Sequence, residues 1–352
     1  MKKNIVIILS IKEKALTGGQ KYDIHFLNEL KEASNDINII VDERLKYNSK
    51  ISLLYNLIYL SKLKTLMDAD VLICNSRLYP RLFLLLPFLN ILNRKLTMFA
   101  IHHHYNYFTL VGFKRVINKF LEVGFLKRFS GLIIPSRYVY DLTQSVLKRN
   151  NLFLLEIGFI KKGYDIEKKP LNSSKLLYVG TIEKRKGLHL LIESIKDIKV
   201  PYKLNIIGKY DSNDSYYLSL KKMIEDYKLS DKIIFHGRVS DEKLDSFYKS
   251  SSVFVFPSLH EGYGMVIVEA MQYGLPVVAF NNSAMPYLIE NGVNGYLVNN
   301  KEEFNQFITK ILVDKNELIC LRGNIQMQLK SLRTIKDLNK DINAFYIKEL
   351  IN

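Results

Sequence analysis

Cysteine is nearly absent: Cys74 and Cys320 are the two in 352 residues. Two cysteines make neither a disulfide framework nor a metal-ligand cluster, so a reducing compartment fits and each is expected to be a small buried hydrophobe. Long apolar runs are lacking too. The stretch from Leu82 to Leu92 is interrupted by Pro87 and Asn90, and it falls short of the ~20 residues a membrane-spanning helix needs. The N-terminal MKKNIVIILSI imitates a signal peptide, but charged Lys12, Glu13 and Lys14 follow with no small-residue cleavage site. Ile5 to Ser10 reads instead as the first core strand. Repeats and low-complexity tracts are missing. Acid is scarce in one region: Val71 to Arg137 holds ten basic residues and one acid, Glu122.

The chain is long enough for two domains, each with its own core. The net charge of +16 is uneven, with +12 on residues 1–168 and +4 on residues 169–352. The acid-poor segment is rich in Phe, Leu and Tyr. Such a surface suits anionic lipid, and no nucleic-acid-binding motif accompanies it. Within it Phe113, Val116, Ile117, Phe120 and Leu121 recur at helical spacing between Lys114, Arg115, Asn118 and Lys119. The apolar stripe of this helix is expected to pack on the domain core, with membrane contact as the alternative.

Strand and helix patterns alternate in both halves, which predicts two doubly wound α/β domains. In the first half, strands are expected at Ile5–Ser10, Ile37–Val41, Asp70–Cys74, Leu96–Ile101, Gly131–Pro135 and Leu152–Ile157, with a helix over Ile51–Met67. A loop Thr17-Gly18-Gly19-Gln20 followed by a helix has the form of a phosphate cradle, or of an ordinary turn. His102, His103 and His104 follow a strand, at the end where ligands gather. Adjacent side chains on an extended segment point to opposite faces, so a metal site is not expected.

The stretch from Phe254 to Pro276, FVFPSLHEGYGMVIVEAMQYGLP, reads as buried strand, glycine loop and helix. Glu261 lies in the loop, and Glu269 lies in the helix between Val268 and Ala270. A carboxylate there is costly unless paired. Two carboxylates suit sugar hydroxyls, and a helix start suits a phosphate. The bland alternative is a buried helix with a satisfied glutamate.

This stretch resembles the signature of glycosyltransferase family 4, retaining enzymes with the GT-B fold that use nucleotide-sugar donors. The similarity runs from about Lys175 to Val298. It implies two Rossmann-like domains facing across a cleft: residues 1–168 with a returning helix at 336–352, and residues 169–335. It also implies roles. Glu261, with the amides of Gly262, Tyr263 and Gly264, would hold the donor sugar. Amides around Met265 and Val266 would meet the diphosphate, and Glu269 the ribose. Lys186, with Arg185 in place of an arginine missing at Thr181, would neutralise the leaving group. Arg238 would lie beside the nucleobase. Gly18 and Gly19 would face the phosphates, and His102, or else His103, would position the sugar. The family's usual acid is replaced by Tyr287.

The implied reaction is sugar transfer from a nucleoside diphosphate to an acceptor hydroxyl with retained configuration, without cofactor or metal. The implied setting is cell-surface polysaccharide or glycolipid synthesis. The acceptor would be a lipid-linked or glycan molecule, and the enzyme cytoplasmic or peripheral on the inner membrane face. The alternatives are a non-catalytic GT-B scaffold and a nucleotide-sugar epimerase or phosphorylase.

Overall fold

The computed structural model describes residues 3–9, 17–33, 37–41, 62–171 and 173–351. The chain divides into two compact units. Unit 1 is Met1–Phe159 with Arg333–Asn352, and unit 2 is Ile160–Leu332.

Among the described residues, unit 1 holds the strands β1 (Ile5–Leu9), β2 (Ile37–Val41), β3 (Val71–Asn75), β4 (Thr97–Ile101), β5 (Gly131–Ile134) and β6 (Leu152–Leu154). They form one parallel sheet in the order β2-β1-β3-β4-β5-β6. Every residue of β1, β3 and β5 is buried. A parallel sheet covered on both faces requires this, and it explains why these strands are near-continuous apolar runs. The last helix of the chain, Ile335–Phe345, belongs to this unit. Its Phe345 ring meets Phe99 and Phe153 edge-on at centroid distances of 5.3 and 5.0 Å. Thr334 caps that helix in a reciprocal box with Asp337.

Unit 2 holds β7 (Lys175–Val179), β8 (Lys203–Ile207), β9 (Ile233–Gly237), β10 (Val253–Phe256), β11 (Val277–Phe280) and β12 (Gly295–Val298). They also form one parallel sheet, in the order β12-β11-β10-β7-β8-β9. Strand order reverses between β7 and β10 here, and between β1 and β3 in unit 1. Open α/β sheets bind ligands outside the carboxyl ends of strands at such points.

Several expectations change. Gly18 and Gly19 do not lie in a loop; they open the helix Gly18–Ala33. Thr17 and Gln20 exchange hydrogen bonds as a capping pair, so the helix starts earlier than the glycines suggested. Of the helix expected over Ile51–Met67, residues 51–61 lie outside the described residues, as does Ser10, and Leu63–Met67 is helical. Cys74 is buried, but Cys320 is exposed on the helix Lys315–Gln328.

The largest correction concerns the helix Gly112–Leu126. Most of its apolar stripe does not pack on the core: Phe113 is 77% and Phe120 75% exposed, with Val116 and Ile117 exposed beside them, and only Leu121 of the stripe packs against it. The helix is held at its other end. Phe125 and Leu126 are buried, and Glu122, the lone acid of the basic segment, is buried too. Its carboxylate accepts the backbone N–H groups of Asn106 and Tyr107, tying the short turn Asn106–Thr109 to the helix. No helix among the described residues is long and apolar enough to cross a membrane.

Candidate functional site

In unit 2 the site assembles at the reversal between β7 and β10. After β7 a single turn, Lys184–Lys186, carries the basic pair forward and ends at Gly187. Gly187 has φ +69°, and a β-carbon there would fall 2.0 Å from the Pro257 carbonyl oxygen. Only glycine lets this turn lie so close to the end of β10. The loop after β10 then brings Glu261 to the basic pair.

Lys186 Nζ lies 2.5 Å from Glu261 Oε1, and each side chain is 12% exposed. Ser258 Oγ donates to the same carboxylate oxygen at 2.7 Å, and Arg185 Nη1 stands 3.4 Å away. The Arg185 guanidinium is itself fixed: Nη1 donates to the His260 carbonyl at 2.8 Å and Nη2 to Glu183 at 2.5 Å. Burial pushes the Glu261 carboxyl up, but the charges of Lys186 and Arg185, with hydrogen bonds from Lys186 and Ser258, outweigh it and hold the group below its usual value. Two cations and an ionised carboxylate thus share one point, which can offer positive charge to an anion and an acceptor to hydroxyls.

Gly264, at φ +97°, caps the helix Met265–Met271. That helix presents Met265, Val266 and Glu269 as partly exposed residues. Tyr248 Oη donates to Glu269 Oε2 at 3.3 Å. Thr181 is exposed, and the guanidinium nearest Glu261 is that of Arg185. Arg238 directly follows β9 and is exposed at the same carboxyl edge. Tyr210 and Tyr217 stack nearby at 4.3 Å, with the Phe235 ring against both. Sequence reasoning missed Ser258 and Glu183. Both lie within three residues of the motif positions they support, which is the signal that could have found them.

In unit 1 the three histidines part company. His102 is fully buried, with Nδ1 3.0 Å from Ser76 Oγ and its ring on Tyr105 at 4.4 Å. Burial, and then the neighbouring His103, pull it down to about 3, so it stays neutral. His103 instead meets Asp23 and stands beside Gly19. Asp23 and Asn75 were not foreseen, since each is a single polar residue with no local pattern.

A family profile described as "Glycosyl transferases group 1" matches residues 161–325. The O-antigen chain mannosyltransferase RfbU of Salmonella typhimurium is 27% identical over 322 residues, covering 85% of this chain and 87% of that protein. Other curated relatives share a shorter part, down to 31% of the relative's length. A sucrose-phosphate synthase structure from Thermosynechococcus elongatus superposes with a TM-score of 0.79 at 18% identity, covering 98% of this chain and 99% of that one. The structure of Anabaena Alr3699/HepE in complex with UDP and glucose gives 0.73 at 17% identity, covering 97% and 99%. Over residues 161–325 the chain is similar to the group 1 glycosyltransferases, and its fold is the GT-B fold.

Proposed function

We propose that the protein transfers a sugar from a nucleoside diphosphate to an acceptor hydroxyl, with retained anomeric configuration and without a metal. The carrying observation is the Lys186–Arg185–Glu261 cluster at the strand-order reversal of unit 2. Loss of a diphosphate develops negative charge, and fixed cations and N–H dipoles stabilise such charge without reorganising. Lys186 and Arg185 supply the cations, and the amides around Met265 and Val266 supply dipoles. Glu261, with the backbone of Gly262, Tyr263 and Gly264, holds the sugar hydroxyls. Glu269, steadied by Tyr248, holds the ribose, and Arg238 lies on the nucleobase side. The Gly18 and Gly19 amides open a helix of unit 1, where an anion is favoured. The departing diphosphate takes the acceptor's proton, so no separate protein base is needed.

The acceptor in this proposal is a lipid-linked or glycan molecule of cell-surface polysaccharide or glycolipid synthesis. The O-antigen mannosyltransferase relative supports that setting. The exposed Phe113 and Phe120, interleaved with Lys114, Arg115 and Lys119, support a protein peripheral on an anionic cytoplasmic membrane face.

Incubation of the purified protein with nucleotide-sugars and lipid-linked acceptors tests the reaction. The account expects nucleoside diphosphate release together with a product whose anomeric coupling by NMR equals the donor's. An inverted product contradicts retention. Donor binding with no product from any acceptor supports a non-catalytic scaffold instead.

A further inference from the structure

At the amino edge of the unit 1 sheet, opposite the strand ends that lead to the histidines, lies a cavity of about 380 Å³. Every residue lining it belongs to unit 1. Thr97 opens β4, and Asn150 and Asn151 lead into β6. The final helical segment, Tyr346–Ile351, contributes Lys348 and Glu349. The floor is aromatic. The rings of Phe99 and Phe153 meet edge-on at 5.9 Å, and Phe345 packs against both. The strand between them, β5, starts with Gly131. A β-carbon there would fall 2.5 Å from the Phe153 ring and 2.8 Å from the Phe99 ring. Both rings therefore close over the glycine, and the floor is fixed before any ligand arrives.

The polar lining both donates and accepts. Each asparagine amide carries two donors and an acceptor, and the threonine hydroxyl does both. Asn151 commits one donor to the Ser130 carbonyl at 3.1 Å and keeps its amide oxygen. Among the described residues no hydrogen bond holds the side chain of Thr97 or Asn150. The two charges offset each other, with Lys348 Nζ 3.8 Å from Glu349 Oε1. An anion would meet a single lysine that already faces a carboxylate, whereas anion sites rest on unopposed cations and N–H donors. An apolar ligand would leave the amides and the hydroxyl without partners. The lining suits an uncharged molecule with one apolar face and a rim of hydroxyls, which describes a pyranose sugar. The volume lies at the small end of ligand cavities, about 300–1,000 Å³, and suits about one or two sugar rings.

We propose that this cavity holds a neutral sugar unit of a glycan chain, apart from any ligand at the carboxyl edge of the sheet. A strand's length, on the order of 15 Å, separates the two edges. A glycan gripped here raises the effective concentration of its own end at the reacting centre and takes no part in the chemistry. That the glycan is the acceptor or product rests on the glycosyl-transfer reading. The sugar chemistry of the cavity rests on its residues alone.

Two measurements on the full chain test it. The side-chain amides of Asn150 and Asn151, assigned by NMR with Asn150→Ala and Asn151→Ala, are followed against mannobiose, lactose and maltose, with UDP and inorganic phosphate as controls. A neutral saccharide should shift both amides in the millimolar range, and the controls should leave them in place. Asn150→Ala should weaken that saccharide by about 2- to 10-fold, the range for one lost hydrogen bond. Asn150→Trp, which fills the cavity, should abolish its binding; position 150 is exposed, so the melting temperature should not move. In transfer assays Asn150→Trp should raise the KM of a long glycan acceptor several-fold. It should leave kcat, the donor KM and the KM of a one-sugar acceptor unchanged. Amides indifferent to every saccharide, amides shifted equally by phosphate or UDP, or saccharide binding that survives Asn150→Trp would overturn the sugar site. An unchanged KM for the long acceptor would overturn its role in holding the glycan. The NMR readout needs no turnover. A wild type that transfers no sugar overturns the glycosyl-transfer reading, and the amide shifts then decide the ligand of the cavity by themselves.

Discussion

Replacing Lys186 by methionine probes the unit 2 site at its tightest contact. The ammonium lies 2.5 Å from Glu261, and both side chains are largely withdrawn from water. Without it, Glu261 keeps the Ser258 hydroxyl at 2.7 Å and Arg185 at 3.4 Å. Deleting one partner of a buried ion pair costs about 3–5 kcal/mol, and the remaining contacts put this change at the low end, about 3 kcal/mol. Unit 2 spans 173 residues, Ile160–Leu332. For a unit of that size such a loss lowers the melting temperature of its own transition by about 6–12 °C. The pH dependence follows from the direction of the Glu261 shift. Its folded value is depressed, so the pair's contribution is fully present above the unfolded value of about 4.3 and is lost as pH falls through the folded one. The gap between wild type and Lys186→Met is therefore widest near neutrality and closes in acid. Adding Glu261→Gln, which removes the stranded charge, recovers most of the loss. Scanning calorimetry between about pH 3 and 7 reads all of this. A gap under about 2 °C at pH 7, or one that persists undiminished in acid, refutes the reasoning.

Gly187→Ala should destabilise unit 2 by about 1–3 kcal/mol or more, from the strained φ and the contact with the Pro257 carbonyl. It should weaken nucleotide binding with it, and an unchanged melting curve would contradict the close approach. Burial pushes the Glu122 carboxyl up to about 7, against the hydrogen bonds from Asn106 and Tyr107. A raised carboxyl contributes stability that is present below about pH 4.3 and lost as pH rises through the folded value. Glu122→Gln should remove that decline in urea unfolding between pH 5 and 8, and an identical pH slope in both proteins would count against it. Phe113→Ser with Phe120→Ser should leave melting unchanged, since both rings are already exposed. The pair should cut binding to anionic vesicles about 100-fold or more, given ~1.5–3 kcal/mol per buried ring. Equal vesicle binding by both proteins would remove the membrane from the account.

The strands were legible because a parallel sheet covered on both faces writes itself as short apolar runs. LTMFAI, GLIIP, VFVF and PVVAF each contain the strand observed, and DVLIC holds all of β3 but Asn75. The unit 2 site was legible for a different reason: Glu261 and Glu269 lie on one continuous segment, so their spacing survives in the sequence. The unit 1 cluster had no such trace. Asp23, Asn75 and His103 meet only after the helix, β3 and β4 are assembled. The helix Gly112–Leu126 shows a further limit. Periodicity states that a helix has an apolar face, but not whether that face meets the core or the outside. Gly18 and Gly19 read as loop because glycine is a poor helix former, although Thr17 and Gln20 already spelled a cap three residues apart.

The central claim is that unit 2 binds a nucleoside-diphosphate sugar through Glu269 and the Lys186–Glu261 pair. A thermal-shift screen of wild type and Glu269→Ala against nucleoside diphosphates and their sugar conjugates tests it most directly. A ligand that favours the folded state raises the melting temperature by mass action, by about 2.7 kcal/mol of stability at 100 times its Kd. The account predicts that one nucleotide-sugar stabilises the wild type and fails to stabilise the variant at the same concentration. A wild type indifferent to every nucleotide-sugar, or a variant stabilised equally, would contradict it.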